Sequence, residues 1–559
     1  MKFSAARAKL PSLTNSLLAV LSAILLTLAF PDFDWQFLAW FALVPLFYAV
    51  ESEKKSVTKS FVLGWIFGTV FFFCSCWWLT FSFITYGGIP TPIAYFLLLI
   101  ICLMVGFFPA VFGAIFSFVL KRFGTYGILS APFLWIAVEF LRFNLTGNNW
   151  NAIGYSQAFK VSVLKFASIG GVYLVGFLVV LGNSVFIFLY KYLKNEFGDE
   201  IFVQYFRHGL QLTQLYISQN NDLLKKTVQQ KQQLIIIVLI FLSLFVPLLS
   251  LFVYENYSPS KPFEPDSANA FVIVIQPNVP MSGLNEEKWL KLRQRHVELA
   301  EAALQKLNAQ PTTDHRPPTT VIFPESPMNF MYERDEEFQV FIRNFARKHN
   351  AYVLFNSAEP NSKNANFYNS AIMVNPQGKK IAQYDKIHLV PFGEYAPVPS
   401  AIEGFVPTLV GNFQYGENYN LFPFGEARGG IMICYESHFA SLSREFARRG
   451  ADVLIEMTND GYLGNTPVLR QHLASAVFRA VETNRPVLRV TNVGVTAYIN
   501  ERGEVLDVAQ PYTEDTRTWT VSKSDGRQTV YVRYGEWFAW LCSLVSLVLL
   551  SICFWNRKI

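Results

Sequence analysis

The feature that most restricts this chain is a succession of long apolar runs. They lie at roughly 12–30, 35–50, 60–83, 92–120, 127–141, 162–190 and 233–254, with another near 535–555. A helix needs about 20 apolar residues to cross a bilayer, so most of these runs read as spans. Composition agrees: 16% of residues are charged, against about 25% in soluble globular chains. The runs at 35–50 and 127–141 are short, and the second of them contains Glu139.

Orientation follows from the basic residues between the runs. Lys2, Arg7 and Lys9 precede the first, Lys54, Lys55 and Lys59 separate the second from the third, Lys121 and Arg122 the fourth from the fifth, and Arg557 and Lys558 follow the last. The intervening loops PDFD and TYGGIPTP carry none. The positive-inside rule then puts both termini in the cytoplasm, with about eight crossings. No small-x-small cleavage site follows the first run, so it is expected to stay as an uncleaved helix. The organisation expected is seven transmembrane helices over 1–254, with a cytoplasmic insert at 191–232. An outer domain follows over 256–532, and a last helix with a cytoplasmic end over 533–559. A net charge of +6 is modest and requires no nucleic-acid partner.

The outer region changes character. FVIVIQP, TVIFPES, AYVLFNS, GGIMICYE, ADVLIEMTN and PVLRVTN are short apolar runs closed by polar or turn residues. Between several of them stand amphipathic patterns such as EEKWLKLRQRHVELAEAALQKL and DEEFQVFIRNFARKHN. Strands alternating with helices indicate an α/β domain with buried sheets. NPQG between SAIMV and KKIAQY predicts a hairpin turn.

In α/β proteins sites form where strands end. Glu325 ends TVIFPE, Cys434 ends GGIMIC, and Lys386 follows a strand-like stretch. A carboxylate, an ammonium and a thiol are the parts of an acyl transfer. The first takes the thiol proton, the thiolate attacks a carbonyl, and the cation steadies the charge formed on oxygen. Each residue also has a plainer reading: a packed cysteine, a turn carboxylate before Ser326-Pro327, a solvated lysine. His438, four residues after Cys434, would neighbour it on one continuous helix, but Cys434 ends a strand. The other five cysteines sit in apolar runs, so the outer region has no disulfide framework. Cys74-Ser75-Cys76 has no companion ligands nearby, and P-loop, GxGxxG, HExxH and EF-hand patterns are absent, so no metal or cofactor is expected.

Taken in order, FPES, YDKIHLVPFGEY and ICYE resemble the Glu–Lys–Cys triad of the nitrilase superfamily. With flanking membrane helices, TGNNWNAIGYSQ, QPNVP, TNDGYLGNTPVLRQH and RAVETNRPVLRVTNVGVTA, the chain resembles the membrane-bound apolipoprotein N-acyltransferase family over nearly its whole length. The resemblance implies a multispan α-helical membrane domain carrying an extracytoplasmic αββα sandwich. It implies Cys434 as nucleophile, Glu325 as general base and Lys386 as oxyanion stabiliser. Glu394 matches a second essential carboxylate, and Tyr435 and Glu436 match the residues flanking the family's cysteine. Trp150 and Trp289 are candidates for substrate entry. The acyl donor would be a phospholipid, typically phosphatidylethanolamine, and the acceptors diacylated apolipoproteins, at the periplasmic side of a bacterial inner membrane. No cofactor is implied.

Three departures stand out: Tyr462 where the family usually has Trp, MSGLNEE lengthening the spacing before Trp289, and the long insert 191–232. SPMNFMY after Glu325 and FVPTLV at 405–410 could dip into lipid or belong to the domain core. Two rival readings remain. One is a membrane-tethered amidase that hydrolyses its acyl-enzyme with water. The other is a non-catalytic scaffold or transporter, for which Glu139 and Arg142 would be the supporting charges.

Overall fold

The computed structural model describes residues 10–208, 269–310, 316–325, 330–361, 366–396 and 412–555. Lys2, Arg7, Lys9, Arg557, Lys558, the run 233–254, most of the insert 191–232, and FVPTLV lie outside them. The chain divides into two compact units, one of Met1–Phe186 with Ala268–Ile559 and one of Ile187–Ser267. The first unit contains the α/β region, the apolar helices up to Phe186 and the last apolar helix.

Every described apolar run is helical. They form α1 (Leu13–Leu28), α2 (Val44–Ser52), α3 (Val57–Ser75), α4 (Leu79–Thr85), α5 (Thr91–Phe123), α6 (Ala131–Thr146) and α7 (Ala167–His208). Among the described residues, four stretches are long and apolar enough to cross a membrane: Val57–Ser75, Thr91–Thr146, Ala167–Tyr192 and Trp537–Trp555. Ser12 and Ser56 cap α1 and α3 by accepting from the amides of Asn15 and Lys59, as N-cap hydroxyls do. The stretch Thr91–Thr146 breaks at Gly124, whose φ of 59° only glycine adopts readily. The run 60–83 is not one helix, contrary to its hydropathy. It stops at Ser75 because Trp78 is pinned by two hydrogen bonds, its indole donating to Ser75 O and Gln471 Oε1 at 3.1 Å each. Helices α3 and α5 touch backbone to backbone: a Cβ on Gly64 would fall 2.1 Å from Pro109 O. Small residues at such crossings are how apolar helices pack where water gives no driving force.

The α/β region is a sandwich of two six-stranded sheets. The strands are β1 (Ala270–Gln276), β2 (Thr319–Ile322), β3 (Tyr352–Pro360), β4 (Phe367–Val374), β5 (Lys380–Asp385), β6 (Leu421–Phe424), β7 (Ala427–Ile433), β8 (Val453–Thr458), β9 (Val487–Thr491), β10 (Ala497–Ile499), β11 (Val505–Leu506) and β12 (Asp515–Val521). The sheets run β12-β1-β2-β3-β4-β5 and β11-β10-β9-β8-β7-β6. β1–β2–β3 and β7–β8–β9 are parallel, and β4 and β5 form the hairpin that NPQG predicts. The outer face of the first sheet is covered by α8 (Glu286–Asn308) and α9 (Glu336–His349), whose Ala300, Leu304, Phe338 and Ile342 share a core with Ile273, Val321 and Val353. Phe330 and Tyr332, from SPMNFMY, join that core, while residues 326–329 of the stretch lie outside the described residues.

On the second sheet α10 (Ala440–Arg448) and α11 (Val468–Thr483) take the corresponding place. Gly430 lets α10 approach, since a Cβ there would sit 2.6 Å from the Phe446 ring. The sheets are tied at their carboxyl ends by Thr491 Oγ1 donating to Gln276 Oε1 (3.3 Å) and Asn278 N donating to Asn492 O (3.1 Å). A short α12 (Val530–Tyr534) leads into the last apolar helix, α13 (Trp537–Trp555).

Candidate active site

Three strand ends converge. Cys434 follows β7 directly, Lys386 follows β5, and Glu325 stands three residues beyond β2. Lys386 is 1% exposed, with Nζ 2.8 Å from Glu394 Oε1 and 3.7 Å from Glu325 Oε1. Burial disfavours its ammonium, but the two carboxylates outweigh burial and hold its pKa above the ordinary lysine value. Asn369, in β4, separates the carboxylates by donating its Nδ2 to Glu325 Oε1 (3.0 Å) and to Glu394 Oε1 (2.7 Å). Burial, opposed in part by Lys386 and reinforced by Glu394, raises the pKa of Glu325. Its carboxylate is within hydrogen-bonding reach of the Cys434 thiol, whose pKa is pushed well up by burial and then by Glu325. A thiol that holds its proton beside a carboxylate of raised basicity is the pairing that proton transfer between them requires.

Cys434 sits in the left-handed region, with φ 52°. This conformation costs a non-glycine residue about 1–3 kcal/mol and persists only when its surroundings fix it. Two groups do so. Glu436 Oε2 accepts from Ile433 N (2.8 Å), and His472 Nε2–H donates to Cys434 O (3.1 Å). The other oxygen of Glu436 accepts from Tyr384 OH, Ile387 N and His388 N, at 2.7, 2.7 and 3.0 Å. One buried carboxylate therefore ties the loop after Lys386 to the turn at Cys434. His472 Nδ1 lies 2.7 Å from Asp460 Oδ1. Burial and Arg489 pull its pKa down, but Asp460 and Glu456 overcome them and raise it to about 9. Both ring nitrogens then carry protons, as their two acceptors require.

A cavity of about 580 Å³ opens over these groups. Glu325, Lys386, Glu394, Cys434 and Tyr435 line one part of it; Phe72, Ile101, Cys102 and Val105, from α3 and α5, line another. Trp150 also lines it and stacks on His438 at 3.9 Å between ring centroids. Trp150 and Trp78 both donate indole N–H to Gln471 Oε1, at 3.0 and 3.1 Å. His438 faces Trp150 and His472, and burial drives its pKa far down. Glu436 stands beneath the cavity as a brace. Trp289, on α8, is 41% exposed and is not among the cavity's lining residues.

Sequence reasoning missed Asn369, Asp460, Gln471 and His472 as site residues. A signal was available for some: Asn369-Ser370 interrupts the apolar run FYNSAIMV, and Gln471-His472 stand in the helix VLRQHLASAVFRAVET.

A cysteine–carboxylate–lysine cluster stands at the strand ends of a double-sheet sandwich, and residues 274–531 match the carbon–nitrogen hydrolase domain, which sets the class of the protein. Residues 22–185 match the apolipoprotein N-acyltransferase N-terminal domain. The apolipoprotein N-acyltransferase of Geobacter metallireducens is 30% identical over 97% of this chain and 96% of its own. Apolipoprotein N-acyltransferase 1 of Treponema denticola is 26% identical with the same coverage of both chains. This chain belongs to the apolipoprotein N-acyltransferase family.

Proposed function

We propose that the chain moves the sn-1 acyl group of a phospholipid, through a thioester on Cys434, to the α-amino group of the N-terminal S-diacylglyceryl cysteine of apolipoproteins. Family membership supports the overall reaction. The observation that carries the residue roles is one cavity lined both by Cys434, Glu325 and Lys386 and by side chains of the apolar helices α3 and α5. A lipid ester can meet the thiol there while its chain stays in apolar surroundings.

Glu325 takes the thiol proton as sulfur attacks the ester carbonyl, and the Lys386 ammonium, held in place by Glu394, stabilises the oxyanion. Collapse breaks the ester C–O bond, and Glu325 returns its proton to the leaving glycerol oxygen, releasing lysophospholipid. The α-amine then attacks the thioester and loses a proton to Glu325. The C–S bond breaks, the thiol is restored, and a triacylated lipoprotein leaves. Tyr435 and Trp150 shape the cavity wall that both lipids pass, and Glu436 fixes the spacing of thiol and ammonium.

The alternation of basic and non-basic loops supports about eight crossings with both termini cytoplasmic. It also supports a catalytic domain on the periplasmic side of a bacterial inner membrane. Phosphatidylethanolamine is the donor this reading favours. Purified protein given phospholipid labelled on its sn-1 chain should acquire hydroxylamine-labile label, absent from Cys434→Ala. A diacylated peptide should then move the label into an amide. Equal labelling of the variant would remove Cys434 as the acyl carrier.

A further inference from the structure

Three basic side chains line the cavity: Lys386, His472 and Arg142. Lys386 is matched by Glu394 and Glu325, and His472 by Asp460 and Glu456. Arg142 is different. It is 5% exposed, near the end of α6, and among the described residues no carboxylate lies within ion-pair distance (4.0 Å) of its guanidinium. Glu139, one turn earlier, accepts from Ile153 N at 2.9 Å and is the chief opposite charge felt by Arg142, from beyond ion-pair distance. Arg142 has Trp150 O as an acceptor for Nη2 (3.1 Å) and the Phe72 ring face at 5.1 Å, while its Nε is buried without a partner.

A buried cation with no carboxylate in direct contact and an unpartnered Nε is expensive in an apolar helix, and such residues mark ligand paths. Its planar fork matches a phosphate, like a carboxylate, through two parallel N–H donors. The second observation is the chemistry across the cavity. Phosphodiester and sn-1 ester occupy the two end carbons of one glycerol. A cavity that brings the ester to Cys434 must therefore hold the phosphate too.

We propose that Arg142 is the anion site of this cavity and binds the phosphodiester of the donor lipid. The proposal rests on the acyltransferase reading and sharpens it. Donor and acceptor both present a diacylglyceryl group, and only the donor carries a phosphate beside it. An Arg142–phosphodiester contact would thus admit the donor to the first step and give the acceptor no equivalent hold.

The test compares thioester formation from phosphatidylglycerol and from diacylglycerol with identical chains, in the same detergent micelles. The readout is the ratio of the two kcat/KM values in wild type, Arg142→Lys and Arg142→Gln. We expect wild type to favour the phospholipid, the ratio to fall at least tenfold in Arg142→Gln, and Arg142→Lys to keep an intermediate ratio. A purely structural arginine would lower both rates together and leave the ratio unchanged, which would overturn the proposal; so would a wild-type ratio near one. If Arg142→Gln does not fold, the Arg142→Lys ratio decides alone. Inorganic phosphate is the probe for a free-anion site: inhibition of diacylglycerol turnover by phosphate, with no preference between the two lipids, would assign the site to a free anion and refute the lipid assignment. Absence of any thioester from either lipid would instead refute the acyltransferase reading itself.

Discussion

Replacing Glu394 by Gln removes one charge and almost no volume, so it isolates what that carboxylate does. Glu394 accepts from Lys386 Nζ (2.8 Å), Asn369 Nδ2 (2.7 Å) and Val390 N (2.8 Å). Both members of the ion pair are buried, at 1% and 5% exposed. At 2.8 Å and an effective dielectric near 20 the attraction is about 6 kcal/mol. With Glu394 neutral, Lys386 turns to Glu325, now 3.7 Å away and worth about 4.5 kcal/mol by the same arithmetic. Closing that gap recovers about 1.5 kcal/mol. The net loss of about 4 to 5 kcal/mol agrees with the roughly 3–5 kcal/mol found on breaking buried pairs.

The chemical consequence is larger than the structural one. Lys386 drawn onto Glu325 stabilises that carboxylate as an anion, and the repulsion from Glu394 that raises its pKa is gone. A less basic Glu325 takes the thiol proton less readily, and the ammonium leaves the position it holds for the oxyanion. General-base contributions run to about 10²–10⁴ in rate, so we expect single-turnover thioester formation to fall on the order of 10²-fold or more. The acid limb of the pH–rate profile should move to lower pH, because that limb follows the raised pKa of Glu325. Labelled-phospholipid quench experiments across pH measure both. Glu394→Gln forming thioester within threefold of wild type, on an unmoved acid limb, would refute this reasoning.

Other consequences can be checked by simpler means. The pKa of His472 is raised to about 9. Its ion pairs therefore add stability that is complete below the unfolded value near 6.5 and is lost as pH rises through about 9. The thermal midpoint in detergent should decline over that window in wild type and decline less in His472→Asn. Gly430→Val places a Cβ 2.6 Å from the Phe446 ring and should destabilise by about 1–3 kcal/mol, read as a lower midpoint. Gln471→Leu leaves the Trp150 indole N–H without its acceptor. It should cost about 1–3 kcal/mol and slow thioester formation.

Much of this architecture is legible from residue order. Strands β7, β8 and β9 are parallel and buried on both faces, so they read as mainly apolar runs, interrupted in β8 and β9 by the paired Glu456 and Arg489. β12, DTRTWTV, reads as polar because it is an edge strand paired only with β1. The break between α3 and α4 is illegible for another reason: the Trp78–Gln471 bond that enforces it joins residues 393 apart. The cluster itself is legible through its order of motifs, since Glu325, Lys386 and Cys434 each stand within three residues of a strand's end. The groups that hold them, Asn369 and His472, belong to no motif of their own, and their partners are set only by the fold.

Gln471 and His472 are neighbours on α11, and successive side chains on a helix point in different directions. Gln471 faces the apolar-helix region: its Nε2 donates to Pro31 O (3.2 Å) and Ser75 O (3.1 Å), and its Oε1 accepts both tryptophan indoles. All four hydrogen-bonding positions of the amide are filled by that region. His472 faces the nucleophile and holds Cys434 O. One helical step thus joins the loops around α1, α3 and α6 to the turn that keeps the thiol in its left-handed conformation. The loop after α6 supplies Trp150, and α6 itself supplies Arg142, to the cavity wall. The turn that carries Cys434 is therefore fixed jointly by the α/β region and the apolar-helix region, which is the arrangement the proposed reaction on a lipid ester requires.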